Sequence, residues 1–400
     1  MTAIYTADEA AARNRVVELA QKYHGMLLQD ERGGALGQVL SKLPVLTKAD
    51  LIAYGQGNQE DFLRTAILFS ETSGTTDVPL QTPRGIRDLQ WNILNQIIAY
   101  KRYLQPGFDR VAVIHPSVLS PFVEASCLAL HQLGVGYVRL FPIPEVCTYK
   151  RILAVLERYR ITAMMTTPTL AYKVLYEIRN LGAKTDQLPL KKALLTGELI
   201  TPENAANMTQ MLGPDSIVTP FVYGSSETAT LMLGTPDCRY LPFLEDFIFE
   251  IDDHSNGGAD CEHAKRETCG RLLVTWLRDG MLPIVRYDTG DIFSVVPSHG
   301  HRPAAFEFQG RNSGDPGIPK RRQELDKAIH ALPVPVYYYK YWSAEDSLAI
   351  VADAAKTDIE LIRRALIDSG SISTKTRIDF NPESCAFYHF SPSPKSSHFE

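Results

Sequence analysis

The sequence has 400 residues and a formal net charge of −5; 44% of its residues are hydrophobic and 22% are charged. This composition is typical of a soluble globular protein, and the length favours two domains over one. No basic block indicates nucleic-acid binding, no apolar run approaches the roughly 18 residues of a bilayer span, and the first residues lack the features of a signal peptide. The sequence therefore predicts a cytoplasmic protein with neither nucleic-acid nor membrane partners.

The first 222 residues alternate predicted helices with short apolar strands. A helix is predicted to open at Thr6-Ala7-Asp8, and further helices are predicted at 89–104, 121–133 and 149–160 and from residues 168 and 201 onward. Strands are predicted at 110–114, 135–141, 161–167, 192–195 and 217–222. This alternation predicts βαβ units and a mainly parallel sheet, in which ligands bind beyond the carboxyl ends of the strands.

After residue 249 the pattern changes to polar turns between short strands such as 271–277, which predicts an antiparallel subdomain. Residues 310–317 are rich in turn residues and mark the predicted domain boundary. Beyond it, helices are predicted at 321–332 and 358–368 and strands at 334–341, 347–351 and 377–380. The predicted fold class is α/β. A large domain of residues 1–310 carries mainly parallel sheets flanked by helices and a small antiparallel subdomain, and a small mobile α+β lid domain of residues 311–400 follows it.

One polar segment stands out in the predicted large domain. Thr72-Ser73-Gly74-Thr75-Thr76 follows an apolar run at 66–69 and combines four hydroxyls with a glycine. Such a segment is either a solvated turn or a loop that wraps a polyphosphate, since glycine allows close backbone approach and hydroxyls and backbone N–H groups donate to phosphate oxygens.

Two further segments follow apolar stretches, Tyr223-Gly224-Ser225-Ser226-Glu227 and Tyr287-Asp288-Thr289-Gly290-Asp291. In this order and at this spacing, the three segments resemble the core motifs of the adenylate-forming superfamily (acyl-CoA ligases, nonribosomal adenylation domains and luciferases). The segment at 43–51 and Thr196-Gly197-Glu198 resemble the phenylacetate-CoA ligase-like branch of that superfamily. The resemblance extends from about residue 43 to residue 311.

The resemblance implies a site for ATP and Mg²⁺. Thr72, Ser73, Gly74, Thr75 and Thr76 would form the phosphate-binding loop, with Thr72 also among the catalytic residues. In the second motif, Tyr223 would stack on adenine, Gly224 and Ser226 would lie against the nucleotide, and catalytic Glu227 would hold Mg²⁺. The structural alternative for Glu227 is an exposed acid that follows an ordinary strand.

The resemblance also implies contacts to the ribose and to the acyl group. Asp291 would accept both ribose hydroxyls, with a turn aspartate as the alternative. Arg311 would contact the ribose, with a surface arginine as the alternative. Gly197 and Glu198 would line the acyl pocket and the adenine edge.

The sequence departs from the superfamily pattern at three places. One is Leu80, which stands where much of the superfamily has a lysine that the branch resembled here often lacks. Asp77 replaces the usual second glycine of the phosphate loop, and a carboxylate there repels a triphosphate unless it points away or meets the metal. The stretch after Arg311 lacks the usual hinge pattern. Lys395 is the candidate for the catalytic lysine that the superfamily carries near its C-terminus, and a solvated tail lysine is the alternative.

A structural zinc site is a further expectation of the resemblance. Cys238, Cys261, His263 and Cys269 could complete a tetrahedral set of ligands, although their spacing is not that of a standard zinc knuckle. Free thiols and a surface histidine are the alternative.

The function that follows from the resemblance is a two-step ligase reaction. A small carboxylic acid, aromatic or biosynthetic, reacts with ATP to give an acyl-adenylate and pyrophosphate, and the acyl group then passes to coenzyme A or to the phosphopantetheine of a carrier protein. One alternative acceptor is an amine or hydroxyl, and another reading is a degenerate member that binds nucleotide or acid without turnover. A homodimer is also compatible with the sequence.

Overall fold

The computed structural model describes residues 2–28, 33–72, 78–115, 120–143, 146–252, 268–297, 303–311, 317–353, 359–382 and 387. Within these residues the chain forms three sheets flanked by helices. No described helix is long and apolar enough to cross a membrane.

The first sheet is parallel throughout and has five strands in the order β3-β2-β4-β5-β6. These strands are β2 (Arg110–Ile114), β3 (Gly136–Leu140), β4 (Ala163–Thr166), β5 (Lys192–Leu195) and β6 (Ile217–Pro220). The residues of β4 are all buried, as expected for a parallel strand with helices on both faces. The parallel sheet predicted from the alternating pattern is confirmed.

Five helices flank this sheet, and four of them begin at a hydroxyl residue. They are α5 (Ile86–Lys101), α6 (Pro121–Leu133), α7 (Tyr149–Arg158), α8 (Pro168–Asn180) and α9 (Pro202–Leu212). The side chains of Ser120, Thr148, Thr167 and Thr201 accept backbone N–H groups in the first turns of α6 to α9. The caps and the 3.6-residue apolar period explain why the sequence predicted these helices.

The amino-terminal region contains a short strand and four helices, β1 (Ala3–Tyr5), α1 (Glu9–His24), α2 (Leu36–Ser41), α3 (Lys48–Gly57) and α4 (Gln59–Thr65). Asp8 caps α1 by accepting from Ala10 N and Ala11 N, so the predicted helix start is confirmed within two residues. Thr47 and Asp50 form a capping box at α3.

The second sheet has eight strands, and every neighbouring pair in it is antiparallel. Its order is β1-β10-β11-β12-β13-β9-β8-β7. The remaining strands are β7 (Val222–Ser225), β8 (Ala229–Gly234), β9 (Tyr240–Pro242), β10 (Phe247–Asp252), β11 (Thr268–Trp276), β12 (Tyr287–Pro297) and β13 (Pro303–Arg311).

The antiparallel region begins earlier than the sequence pattern predicted. The single strand expected at 217–222 is divided at Phe221, so that β6 closes the parallel sheet and β7 belongs to the antiparallel one. Phe221 is buried and its N–H donates to the carbonyl of Leu195, which fixes the crossing point. An unbroken run of apolar residues carries no signal for such a change of sheet.

The carboxyl-terminal region forms a small α+β unit with its own apolar cluster. It comprises α10 (Gly317–His330), β14 (Val336–Trp342), β15 (Ser347–Ala352), α11 (Ile359–Asp368) and β16 (Arg377–Phe380), with β14, β15 and β16 in one sheet. The predicted element order is confirmed. The division of the chain at residues 310 and 311 stays a prediction, and β13 ends at that point.

This unit packs against α8 and α9 of the large region. The side-chain amide of Asn207 donates to the carbonyl of Val336 at 2.7 Å and accepts from the N–H of the same residue at 2.9 Å. The ring of Tyr172 stacks on His330 with centroids 5.7 Å apart. Paired hydrogen bonds and ring stacking therefore hold the small unit on the large one.

Candidate active site

A two-stranded hairpin supports the predicted phosphate loop. Thr72 N donates to Leu80 O at 2.9 Å, and Thr82 N donates to Ser70 O at 2.7 Å. The side-chain oxygens of Ser70 and Thr82 also meet at 3.0 Å. Ser73, Gly74, Thr75, Thr76 and Asp77 lie outside the described residues. The structure therefore fixes the base of this loop, and its phosphate-binding role stays a prediction.

The second motif turns sharply between β7 and β8. The hydroxyl oxygen of Thr228 accepts from Ser225 N at 3.1 Å, and that of Ser225 accepts from Thr228 N at 3.2 Å. A Cβ at Gly224 would lie 1.9 Å from the carbonyl oxygen of Ala229, so only glycine fits there. This turn presents Ser226 and Glu227.

The carboxylate of Glu227 is held by a tyrosine of the third motif. Tyr287 donates from its hydroxyl to Oε1 of Glu227 at 2.9 Å, and Glu227 is only 9% exposed. Burial, and next the charge of Glu227, raises the pKa of Tyr287, so its hydroxyl stays protonated and remains a donor. Tyr287 opens the third motif in the sequence, but the motif alone gave this tyrosine no role.

Tyr223, Asp291 and Arg311 lie together in the structure. The hydroxyl of Tyr223 donates to Oδ2 of Asp291 at 2.7 Å, and Nε of Arg311 lies 3.3 Å from Oδ1 of the same carboxylate. Asp291 and Arg311 are cross-strand partners on β12 and β13. The ring of Tyr223 packs edge-on against Phe293, with centroids 4.8 Å apart. The arrangement thus fixes one carboxylate between a phenol and a guanidinium.

Gly197 and Glu198 lie after β5, at the same edge of the parallel sheet as the start of α8. Gly197 has a φ of +84°, which favours glycine. Oε2 of Glu198 accepts from the N–H of Thr169 at 2.9 Å and from its hydroxyl at 2.7 Å. The carboxylate therefore lies at the amino end of α8, where its charge is favourable. Its expected contacts to the acyl group and adenine stay predictions.

The predicted zinc ligands are not brought together within the described residues. Cys238 is a free, buried thiol before β9, and burial raises its pKa to about 12, so it is not a thiolate. Cys269 lies on β11, three strands away in the sheet, or roughly 14 Å at ordinary strand spacing. Cys269 is also disulfide-bonded. Cys261 and His263 lie outside the described residues, and no group of three metal-ligating side chains occurs among those inside.

Glu227 remains the side chain suited to Mg²⁺. This ion is commonly held by one or two carboxylates together with substrate phosphates, so a single buried carboxylate fits the ion's chemistry. Lys395, the expected lid lysine, lies outside the described residues.

Arg84, which lies beneath this site, was not predicted from the sequence. Its guanidinium donates from Nη1 to the carbonyl of Glu227 at 3.3 Å and from Nη2 to the carbonyl of Ser226. Nothing in the sequence around Pro83-Arg84-Gly85 separates this arginine from a solvated one, because its acceptors are backbone atoms 142 and 143 positions away.

Comparison with solved structures identifies the fold. The chain superposes on 2-hydroxyisobutyryl-CoA ligase in the postadenylation state, in complex with R3-HIB-AMP, with a TM-score of 0.74 and 16% identity, covering 99% of this chain and 90% of the other. The same ligase in complex with 2-HIB-AMP and CoA in the thioesterification state gives a TM-score of 0.60 and 17% identity, covering 99% and 91%. No protein-family model matches the sequence, and no curated protein matches it.

The placement in the phenylacetate-CoA ligase-like branch stays a prediction. The chain has the fold of the adenylate-forming enzymes.

Proposed function

We propose that this protein is an ATP-dependent ligase that activates a carboxylic acid as its acyl-adenylate and then transfers the acyl group to a thiol. The observation that supports this most strongly is the set of contacts that joins three distant segments of the chain. Arg84, in the hairpin that leads into the predicted phosphate loop, donates to the backbone carbonyl of Glu227; the Glu227 carboxylate accepts from Tyr287, and Tyr223 donates to Asp291. The fold agrees with this function.

In the first step, a carboxylate oxygen of the acid attacks the α-phosphate of ATP. The new bond joins that oxygen to the α-phosphorus, and the bond to the bridging oxygen of the β-phosphate breaks, so pyrophosphate leaves. Because both reactants are anions, rate enhancement comes from alignment and charge stabilisation. Mg²⁺ held by Glu227 would offset phosphate charge, and Thr72 with the loop that follows would donate to phosphate oxygens.

The nucleoside would lie between the second and third motifs. Tyr223 and Gly224 would contact adenine, Ser226 would face the phosphates, and Asp291 would accept the ribose hydroxyls with Arg311 beside it. The bond from Tyr223 to Asp291 orients that carboxylate before the nucleotide binds. Gly197 and Glu198 would border the acyl group.

In the second step, a thiol attacks the acyl carbon, a carbon–sulfur bond forms and AMP leaves. Coenzyme A is the acceptor we favour, since the ligase of the same fold has been solved with CoA. The phosphopantetheine of a carrier protein is the second thiol candidate. The acid would be an aromatic acid or a small biosynthetic acid. The enzyme would be cytoplasmic, would belong to the phenylacetate-CoA ligase-like branch and could act as a homodimer.

Lys395 would neutralise charge on the α-phosphate during the first step only. In the variant Lys395→Ala, exchange of pyrophosphate into ATP should fall far more than acyl transfer from preformed adenylate. Unchanged exchange would remove Lys395 from this role.

The function is tested by acid-dependent exchange of labelled pyrophosphate into ATP across a panel of aromatic and small aliphatic acids. For each active acid, coenzyme A, a phosphopantetheinylated carrier protein and simple amines are then compared as acceptors. We expect exchange with at least one acid and a thioester product. Exchange with no acid would favour a protein that binds nucleotide without turnover.

A further inference from the structure

Arg84 is a fully buried arginine that joins two parts of the candidate site. Its side chain is 0% exposed, and its guanidinium donates to the carbonyls of Ser226 and Glu227. These two residues form the turn that carries the predicted magnesium ligand. The planar fork of a guanidinium can serve two successive carbonyls at once, which a lysine ammonium cannot do in the same geometry.

The backbone of Arg84 belongs to the hairpin that leads into the predicted phosphate loop. Arg84 N donates to the carbonyl of Leu68 at 2.8 Å, and Leu68 N donates back to the carbonyl of Arg84 at 3.1 Å. Four residues closer to the loop, Leu80 pairs in turn with Thr72. One residue therefore connects the backbone of the hairpin with that of the acidic turn.

Stability alone is a poor explanation for this arginine. A buried guanidinium loses its hydration, and among the described residues its Nε meets no acceptor. Burial lowers the pKa of Arg84, and the nearby charges of Asp88 and Glu227 oppose this effect only in part. Replacing such a buried charge network with apolar side chains is often neutral or stabilising, so a position of this kind calls for a role beyond packing.

We infer that Arg84 is a positioning residue for adenylation, which sets the Glu227 carboxylate relative to the hairpin of residues 68–72 and 80–84 at the base of the predicted phosphate loop. This inference rests on the proposed function. Arg84 fixes the backbone of the turn from behind, and Tyr287 fixes the carboxylate from the side. Metal and phosphates must meet in a narrow geometry, and a displacement of about 1 Å can cost about 100-fold in rate.

The test compares Arg84→Gln and Arg84→Lys with Lys192→Gln as the matched control. Lys192 is also a largely buried cation that donates to a carboxylate, Asp109, and to a carbonyl, that of Tyr103. It lies at the amino end of β5, the opposite edge of the sheet from the candidate site. Two readouts are measured: Mg²⁺-dependent binding of ATP by calorimetry, and the Mg²⁺ dependence of pyrophosphate exchange.

For Arg84→Gln we expect exchange at saturating substrates to fall about 100-fold and the Mg²⁺ concentration at half-maximal rate to rise about 10- to 100-fold. Arg84→Lys, which keeps the charge, should show smaller changes in the exchange rate and in the Mg²⁺ requirement. Lys192→Gln should leave both quantities unchanged. If Arg84→Gln does not fold, Arg84→Lys carries the test through a smaller rise in the Mg²⁺ concentration at half-maximal rate. An unchanged Mg²⁺ dependence in the folded Arg84 variants, or an equal change in Lys192→Gln, would overturn the inference.

The two proposals can fail separately. A wild-type protein that binds ATP with Mg²⁺ but exchanges pyrophosphate with no acid contradicts the proposed function, and calorimetry then still decides the role of Arg84. A wild-type protein that binds no ATP in the presence of Mg²⁺ contradicts both.

Discussion

Two tyrosine hydroxyls hold two of the acidic side chains of the candidate site, Tyr287 on Glu227 and Tyr223 on Asp291. Burial, and then the neighbouring carboxylate, raises the pKa of both phenols, so both remain donors at neutral pH. A hydrogen bond to a charged group contributes about 1.5–3 kcal/mol. Each tyrosine therefore fixes the orientation of one carboxylate.

The variant Tyr287→Phe removes the donor to Glu227 and leaves the ring in place. We expect the Mg²⁺ concentration at half-maximal exchange rate to rise about tenfold, because partners that orient a metal ligand contribute on this scale. A magnesium titration of pyrophosphate exchange measures it. An equal Mg²⁺ concentration at half-maximal rate in variant and wild type would show that Tyr287 does not affect the metal site.

The variant Tyr223→Phe removes the donor to Asp291. Because Asp291 is expected to accept the ribose, the KM for ATP should rise about tenfold while the KM for the acid stays within about twofold. Steady-state exchange kinetics with each substrate varied in turn give both values. A change confined to the KM for the acid would place Tyr223 at the acyl end of the site instead.

The residues of the site differed in how far the sequence could predict them. Tyr223, Glu227 and Asp291 lie in short motifs whose residue types reflect their chemistry, and the structure brings Tyr223 to Asp291 and Glu227 to Tyr287. Arg84 was not predictable, since its contacts are to backbone carbonyls and depend on the folded path of a distant turn.

At the level of elements, the β7–β8 hairpin requires a glycine next to its turn. Gly224 lies at a register shift of the two strands, where a side chain would overlap the backbone of Ala229. The hairpin also carries the acidic turn, so its geometry and the position of Glu227 are linked.

We therefore expect Gly224→Ala to lower the free energy of unfolding by about 3 kcal/mol or more, since the new Cβ forces the backbone apart. The control is Gly57→Ala at the end of α3, where nothing lies within 4 Å of the new Cβ. Its unfolding free energy should change by no more than about 1 kcal/mol. Urea denaturation measures both, and equal stability of the two variants would contradict the close approach of Gly224 to Ala229.

Elements with strong local signals were predicted well, and the crossing between sheets was not. Helix α6 was predicted at its observed bounds, because Ser120 and Pro121 mark its start and Gly134 follows its end. The change from β6 to β7 at Phe221 has no local marker, because both strands are apolar and only tertiary pairing tells them apart.

At the scale of the whole molecule, the small carboxyl-terminal unit is docked on α8 and α9. Asn207 pairs with both backbone polar groups of Val336, a fully buried residue at the start of β14. The side-chain amide thus makes the two hydrogen bonds that a neighbouring strand would otherwise make with Val336. Any movement of the small unit away from α8 and α9 would break these bonds.

The variant Asn207→Ala leaves the N–H and carbonyl of Val336 without these partners, which should cost about 2–4 kcal/mol of docking free energy. Hydrogen exchange at the amide of Val336 should quicken by at least about tenfold, while the amides of the parallel sheet keep their protection. The control Asn180→Ala, at an exposed position of α8, should alter neither set. Unchanged exchange at Val336 would mean that the amide does not hold the two units together.

The fold class could be predicted from the sequence because helix caps, apolar periodicity and the element order all agreed. The docking of the small unit could not, since Asn207 and Tyr172 resemble ordinary helix residues until their partners in the other unit are known.

The most direct test of adenylation follows the oxygen atoms of the acid. The acid that gives the highest exchange rate is labelled with ¹⁸O in its carboxyl group, allowed to react with ATP and coenzyme A, and the products are examined by mass spectrometry. Attack on the α-phosphate predicts one labelled oxygen in AMP and none in pyrophosphate. Label in inorganic phosphate together with ADP would indicate attack on the γ-phosphate and would contradict the proposed reaction.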